Sequence, residues 1–385
     1  MTTIRATGTS TSATSPRSDA RRPLESIQYM RGLAAVMVVL AHASSSLLEH
    51  QRPLINLQVG GYGVDLFFVI SGFIMFYTTD GRGLTRTAFY RKRLMRIMPL
   101  YFLLTTLAFV LAFVMPHSFH TLTARPADYL RSILFIPFFN TVVQGIRPEI
   151  GQGWTLNYEM FFYLLFGLCL PMARTLRLVF CAVGLSALVL VGCVIHPANP
   201  LLHAYTDPLL LEFLLGMVLG YSARNVRLRA WLAMGLIVSA VSLLGLEMLS
   251  GPLSLPRFLM VGIPAAAVLS AALWLEGRGG MPHMSWLLLL GDSSYSLYLT
   301  HGFVLALLRR VWLSRFDSHR VETHLAYFAA TLVLSVPTGI LIYRMVELPA
   351  GEAMMWCWKQ IAGVSSLRKN VLRVTVTPAV EVSEA

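Results

Sequence analysis

The sequence predicts an all-α polytopic membrane protein with about ten transmembrane helices and no soluble catalytic domain. Three observations carry that prediction. The 385-residue chain is 56% hydrophobic and 13% charged, with a mean hydropathy of +0.63. Its apolar residues gather in runs close to the about 20 residues that cross a bilayer. Ionisable residues sit inside several of those runs. A charge there costs roughly 2.5–3.5 kcal/mol or more, so it marks a bundle interior or an aqueous pocket.

The first run, 27–48, reads IQYMRGLAAVMVVLAHASSSLL and carries Arg31 and His42. Eleven residues at about 100° each return to the same helix face within roughly 20°. The two side chains are then about 16 Å apart along the axis. Further spans are expected at 61–79, 98–116, 154–172, 176–195, 208–223, 230–250, 257–276, 286–308 and 324–346, the sixth being short. Residues 129–139 are too few to span and read as an interfacial or re-entrant piece. Residues 1–23 read as a disordered tail, 24–350 as one transmembrane domain and 351–385 as a second tail. Trp356 and Trp358 suit a membrane–water boundary. The run after residue 23 is too long for a signal-peptide core and lacks a small-residue exit, so no cleavable signal is expected.

The net charge of +12 does not indicate nucleic acid, because the basic residues punctuate apolar runs as loop charges do. On a ten-span topology most of the 31 Lys and Arg residues fall on the side of the termini, which are therefore expected in the cytoplasm. Arg309, Arg310, Arg315 and Arg320 are exceptions, grouped in one outer loop. Cys169, Cys181, Cys193 and Cys357 form no CxxC or Cys/His cluster and read as packing residues.

The topology places five ionisable side chains from five helices in the outer half: His42, Asp65, Glu159, Glu212 and His301. Ser294, Tyr298 and His301 share one helix face at spacings of four and three. Two imidazoles near carboxylates suit proton transfer, since a carboxylate fixes the imidazole tautomer and stabilises the imidazolium. At the cytoplasmic side FYRKRLMRIMPLY brings Arg91, Lys92, Arg93 and Arg96 to the membrane edge, with Arg93 and Arg96 on one face. They read as positive-inside anchors or as a phosphate site, because guanidinium forks match phosphate oxygens. Glu347 is a candidate partner for Arg344 or for this cluster.

These residues lie in strings that resemble membrane-bound acyltransferase family 3, which O-acylates bacterial surface sugars. The strings are the Arg–ten residues–His pattern at Arg31 and His42, GVDLFFVISGFIM from Gly63, RKRLMRIMP from Arg91, WTLNYEMFFY from Trp154, LLEFLLGM from Leu210, GDSSYSLYLTH from Gly291 and YRMVELP from Tyr343. The resemblance implies a multi-pass protein of the bacterial cytoplasmic membrane. It implies an acyl-CoA co-substrate, acetyl-CoA by default, and an acceptor hydroxyl on an exopolysaccharide or its lipid-linked precursor. It further implies that His42 is catalytic, that Arg31 matters for activity, and that Arg93 and Arg96 hold coenzyme phosphates. The chain is similar to stand-alone members without a fused hydrolase-like domain.

The expected scheme has His42 as general base or as carrier of the acyl group. Asp65 or Glu159 orients the imidazole, and Tyr298, Ser294 or His301 donates to the oxyanion. No metal is expected. Membrane lipid and polysaccharide-assembly proteins are the expected partners. The competing reading is a proton-coupled transporter or flippase, since intramembrane His and acidic residues also build relays; the chain shows no paired halves with matching broken segments to favour it. A non-enzymatic scaffold would leave His42 and Asp65 unexplained.

Overall fold

A computed structural model of the chain describes residues 24–48, 58–79, 83–114, 124–223, 230–235, 237–239, 242, 255–316, 320–358 and 360. Residues 1–23, residues 359 and 361–385 of the expected second tail, and most of the span expected at 230–250 lie outside the described residues, whereas residues 351–358 of that tail are helical. The protein is all-α and polytopic. Its helices are α1 (Glu25–Leu48), α2 (Gly63–Thr79), α3 (Arg86–Val114), α4 (Pro126–Ile133), α5 (Trp154–Cys169), α6 (Arg174–Ile195), α7 (Pro200–Tyr205), α8 (Leu210–Ser222), α9 (Ile263–Gly277), α10 (Ser285–Asp292), α11 (Ser294–Arg315) and α12 (Val321–Ile342). The described strands are the two-residue β1 (Phe139–Asn140) and β2 (Gly145–Ile146), paired antiparallel. Helix dominates because the hydrocarbon layer offers backbone groups no water to bond.

Among the described residues seven helical stretches are long and apolar enough to cross a membrane. Two of the ten expected spans are built differently. The span at 154–172 is the 16-residue α5. The span at 286–308 is broken at Ser293 into α10 and α11. The break occurs where Gly291 presses onto α1: a Cβ there would lie 2.2 Å from the Gln28 carbonyl oxygen. The last stretch, Val321–Trp358, runs on past residue 350.

The helix ends sort into two groups. Glu276, at the end of α9, accepts from the Glu25 backbone N–H at 2.7 Å and so joins the start of α1. Arg257, just before α9, meets Asp65 at the start of α2. Arg177 at the start of α6 donates to Thr79 of α2 at 3.2 Å and to the Leu170 carbonyl at 2.9 Å, satisfying helix-end oxygens of α2 and α5. The first residues of α1, α3 and α6 thus share one end of the bundle with the last residues of α2, α5 and α9. The opposite end holds His42, the starts of α2 and α5, and the α4 hairpin region.

At the centre α2 packs backbone to backbone on α8. A Cβ on Gly72 would lie 2.0 Å from the Phe213 carbonyl oxygen, and one on Gly216 only 1.9 Å from that of Val69. Small residues permit such approach, which is how helices gain contact where lipid supplies no hydrophobic drive. Phe68, Phe162 and Phe213 fill the neighbouring space, with ring centroids 4.4–4.7 Å apart for the pairs that share Phe213. Exposed apolar residues such as Phe180, Val183, Leu190 and Val194 cover α6, as a lipid-facing helix requires. The expected interfacial piece at 129–139 is the short α4 and its exit, with Leu130, Leu134, Ile136 and Phe139 exposed. The loop after β2 is pinned to α4 and α3: the Glu149 N–H donates to Ser132 Oγ at 2.9 Å, and Tyr101 donates to the Ser132 carbonyl at 3.1 Å.

Candidate active site

α1 and α11 bring two histidines together. His42 Nδ1 lies 3.0 Å from His301 Nε2, with ring centroids 5.0 Å apart. His301 is fully buried, and its Nδ1 lies 3.1 Å from the Leu297 carbonyl oxygen. A carbonyl can only accept, so Nδ1 of neutral His301 carries the proton and Nε2 is the acceptor. His42 Nδ1–H therefore donates to His301. Among the described residues that leaves the lone pair on His42 Nε2 as the uncommitted base of the pair. His42 itself is half-buried.

A cavity of about 80 Å³ lies in the bundle; neither histidine lines it, but Tyr298, whose ring centroid is 6.0 Å from that of His301, does. Arg31, Arg93 and Arg96 line it, together with Glu159 and Ser294. Arg31 is almost fully buried and donates to Gln28 at 3.0 Å. The Arg93 guanidinium lies 5.9 Å from the ring centres of both Phe89 and Tyr163. Arg96 is exposed and also borders an outer groove with Lys92 and Glu347. Three cations against one carboxylate give the cavity an excess of positive charge. Glu347 accepts from Ser296 at 2.6 Å.

The five ionisable residues expected at one depth do not form one cluster. Asp65 does not orient His42. Its carboxylate is held by Arg257 through two bonds, 2.9 Å from Nε and 2.6 Å from Nη2. Glu212 lies beside that pair, and neither of its buried oxygens has a hydrogen-bond partner among the described residues. Glu159 does not orient His42 either: it accepts from Ser71 at 3.2 Å and from Tyr163, on the cavity wall. The orienting role expected of a carboxylate thus falls to His301, which has both nitrogens engaged and is not a free oxyanion donor. Tyr298 closes the cavity one helical turn from His301, with centroids 6.0 Å apart. Its hydroxyl donates to the Gln152 carbonyl at 2.9 Å and lies 3.0 Å from Thr155 Oγ1. Ser294 Oγ, by contrast, is buried on the cavity wall with no partner among the described residues.

Several site residues escaped sequence reasoning. Tyr163 sits four residues after Glu159 on one helix, a spacing that signals their contact. Arg257, Ser71 and Thr155 carry no such local signal. Arg147, in the loop after β2, faces the histidine end of the site.

A profile described as an acyltransferase domain matches residues 24–344. The chain belongs to acyltransferase family 3. It is 35% identical over 312 residues to the exopolysaccharide production protein ExoZ of Rhizobium meliloti, covering 81% of this chain and 94% of that protein. It is 26% identical to the acyltransferase MdmB of Streptomyces mycarofaciens over 85% of this chain and 91% of that protein. The O-acetyltransferase OatA of Staphylococcus aureus is 24% identical over 85% of this chain, and the match spans 57% of OatA. No solved structure matches significantly. The chain is thus a multi-pass membrane acyltransferase, and family membership weighs against the transporter reading.

Proposed function

We propose that the protein transfers an acyl group from acyl-CoA, acetyl-CoA by default, to a saccharide hydroxyl of an exopolysaccharide or its lipid-linked precursor. The observation that carries the reading is the His42–His301 pair beside Tyr298, which lines a cavity that Arg31, Arg93 and Arg96 also line. Phosphates of the coenzyme pair with Arg93 and Arg96, and Arg31 contacts the buried part of its arm. The thioester passes Tyr298, which gives up its bond to Gln152, and reaches His42. His42 Nε2 takes the proton of the acceptor hydroxyl. The acceptor oxygen forms the ester bond, the carbon–sulfur bond breaks, and the departing thiolate receives that proton from His42. His301 keeps Nε2 of His42 basic by accepting from its Nδ1. Ser294, about 10 Å from His301 along α11, can donate to the coenzyme's arm in the cavity. Coenzyme entry from the cytoplasm, acceptor entry from the far side and residence in the bacterial inner membrane complete the proposal.

The test is to delete the gene and compare the secreted polysaccharide by NMR. One ester signal should vanish, return with the wild-type gene, and stay absent with His42→Gln at equal membrane abundance. An ester that survives deletion, or returns with His42→Gln, overturns the reading.

A further inference from the structure

The loop of residues 145–153 is fixed over the histidine end of the bundle. Tyr298 donates to the Gln152 carbonyl at 2.9 Å. The Gln152 side chain lies against Gly302, where an added Cβ would come within 2.2 Å of its Nε2. Gly153 also packs closely on Tyr101, where an added Cβ would come within 2.8 Å of the ring. The loop is therefore held at both the residue after His301 and the hydroxyl of Tyr298. Arg147 rides on it, close enough to His42 and Tyr298 for its charge to act on both.

Arg147 is exposed, and among the described residues it makes no hydrogen bond and no ion pair. That separates it from the other arginines around the site. Arg257 is committed to Asp65, Arg31 to Gln28, and Arg93 donates to Thr78 at 3.4 Å. Arg93 and Arg96 also line the cavity, which Arg147 does not. A guanidinium presents five N–H donors in a planar fork that matches carboxylate or phosphate oxygens. Held on a pinned loop, it has no carboxylate to satisfy among the described residues.

We infer that Arg147 recognises the acceptor, and that this acceptor is a saccharide carrying an anionic group, a carboxylate or a phosphate, near the hydroxyl to be acylated. The inference rests on the reading that a saccharide hydroxyl meets His42. Pairing with Arg147 would fix the sugar ring so that one hydroxyl faces His42 Nε2, making Arg147 a specificity-determining residue.

Binding tests this without needing turnover. Wild type, Arg147→Gln and Arg147→Lys in lipid nanodiscs are titrated with a glucuronate-containing disaccharide, a hexose phosphate, a neutral disaccharide and acetyl-CoA. Arg147→Gln should weaken an anionic probe about 10-fold or more, the size of one charge-assisted contact. Arg147→Lys should recover part of that loss, while the neutral probe and acetyl-CoA should bind as to wild type. The probe that loses affinity identifies carboxylate or phosphate as the recognised group. Equal affinity of wild type and Arg147→Gln for both anionic probes overturns the inference, as does an equal loss for the neutral sugar. Arg147-dependent binding with no acyl transfer to any sugar would instead overturn the catalytic reading alone.

Discussion

Two polar pairs, each with one fully buried member, lie toward the same end of this bundle, and they differ in what they leave over. Asp65 and Arg257 spend both carboxylate oxygens and two guanidinium nitrogens on each other. His42 and His301 spend three of four ring nitrogens and leave one. A saturated ion pair holds helices in register, whereas an unsaturated imidazole pair can accept a proton. Inspection of residue type alone ranks Asp65 as the better partner for a catalytic histidine. Geometry reverses that ranking, because Arg257 arrives from the start of another helix and takes the carboxylate first.

The contrast can be broken most strongly at His42. His42→Gln should lower acyl transfer about 10²–10⁴-fold, the usual contribution of a positioned base, with unchanged membrane abundance and thermal midpoint. Asp65→Ala should do the converse, destabilising the detergent-solubilised protein by about 2 kcal/mol as Arg257 loses the carboxylate it is hydrogen-bonded to. Adding Arg257→Met should recover part of that stability. A stable but inactive Asp65→Asn would instead move Asp65 into the chemistry. His301→Phe should cost about 10²-fold in turnover and His301→Gln less, because the glutamine oxygen can still accept from His42 Nδ1. The mildest change is expected among the arginines that line the cavity. Arg93→Gln should raise KM for acyl-CoA about 10-fold with kcat retained, read from initial rates.

Much of this was legible from sequence for a definite reason. Helix existence follows from apolar run length, and the shared face of Ser294, Tyr298 and His301 follows from helical period. The Arg31-to-His42 spacing on α1 likewise survives folding, since both stay on one unbroken helix. The break at Ser293 has a local signal in the polar run Gly291–Ser294, but the apolar residues on either side outweigh it, and the contact of Gly291 with α1 is visible only in the fold. The partner of Asp65 lies 192 residues away in a stretch that reads as loop charge. Depth alone therefore grouped Asp65, Glu159 and Glu212 with the histidines, whereas Asp65 is held by Arg257 beside Glu212 and Glu159 turns to Tyr163 on the cavity wall. Arg147 was hidden for the same reason: its loop is polar and short, and only its stitching to α11 gives it a place.

The contact of α2 with α8 bears on how loss-of-function variants should be interpreted. Gly72 and Gly216 leave no room for even a methyl group between the two backbones. A genetic selection for strains lacking the modification would therefore return alanine or serine at these glycines as readily as changes at His42. Immunoblots of the membrane fraction distinguish the two classes, since the glycine variants should be depleted and the histidine variants abundant. Invariance of these glycines across relatives would then record a steric demand of two helices pressed together, and should not be scored as membership of the reaction centre.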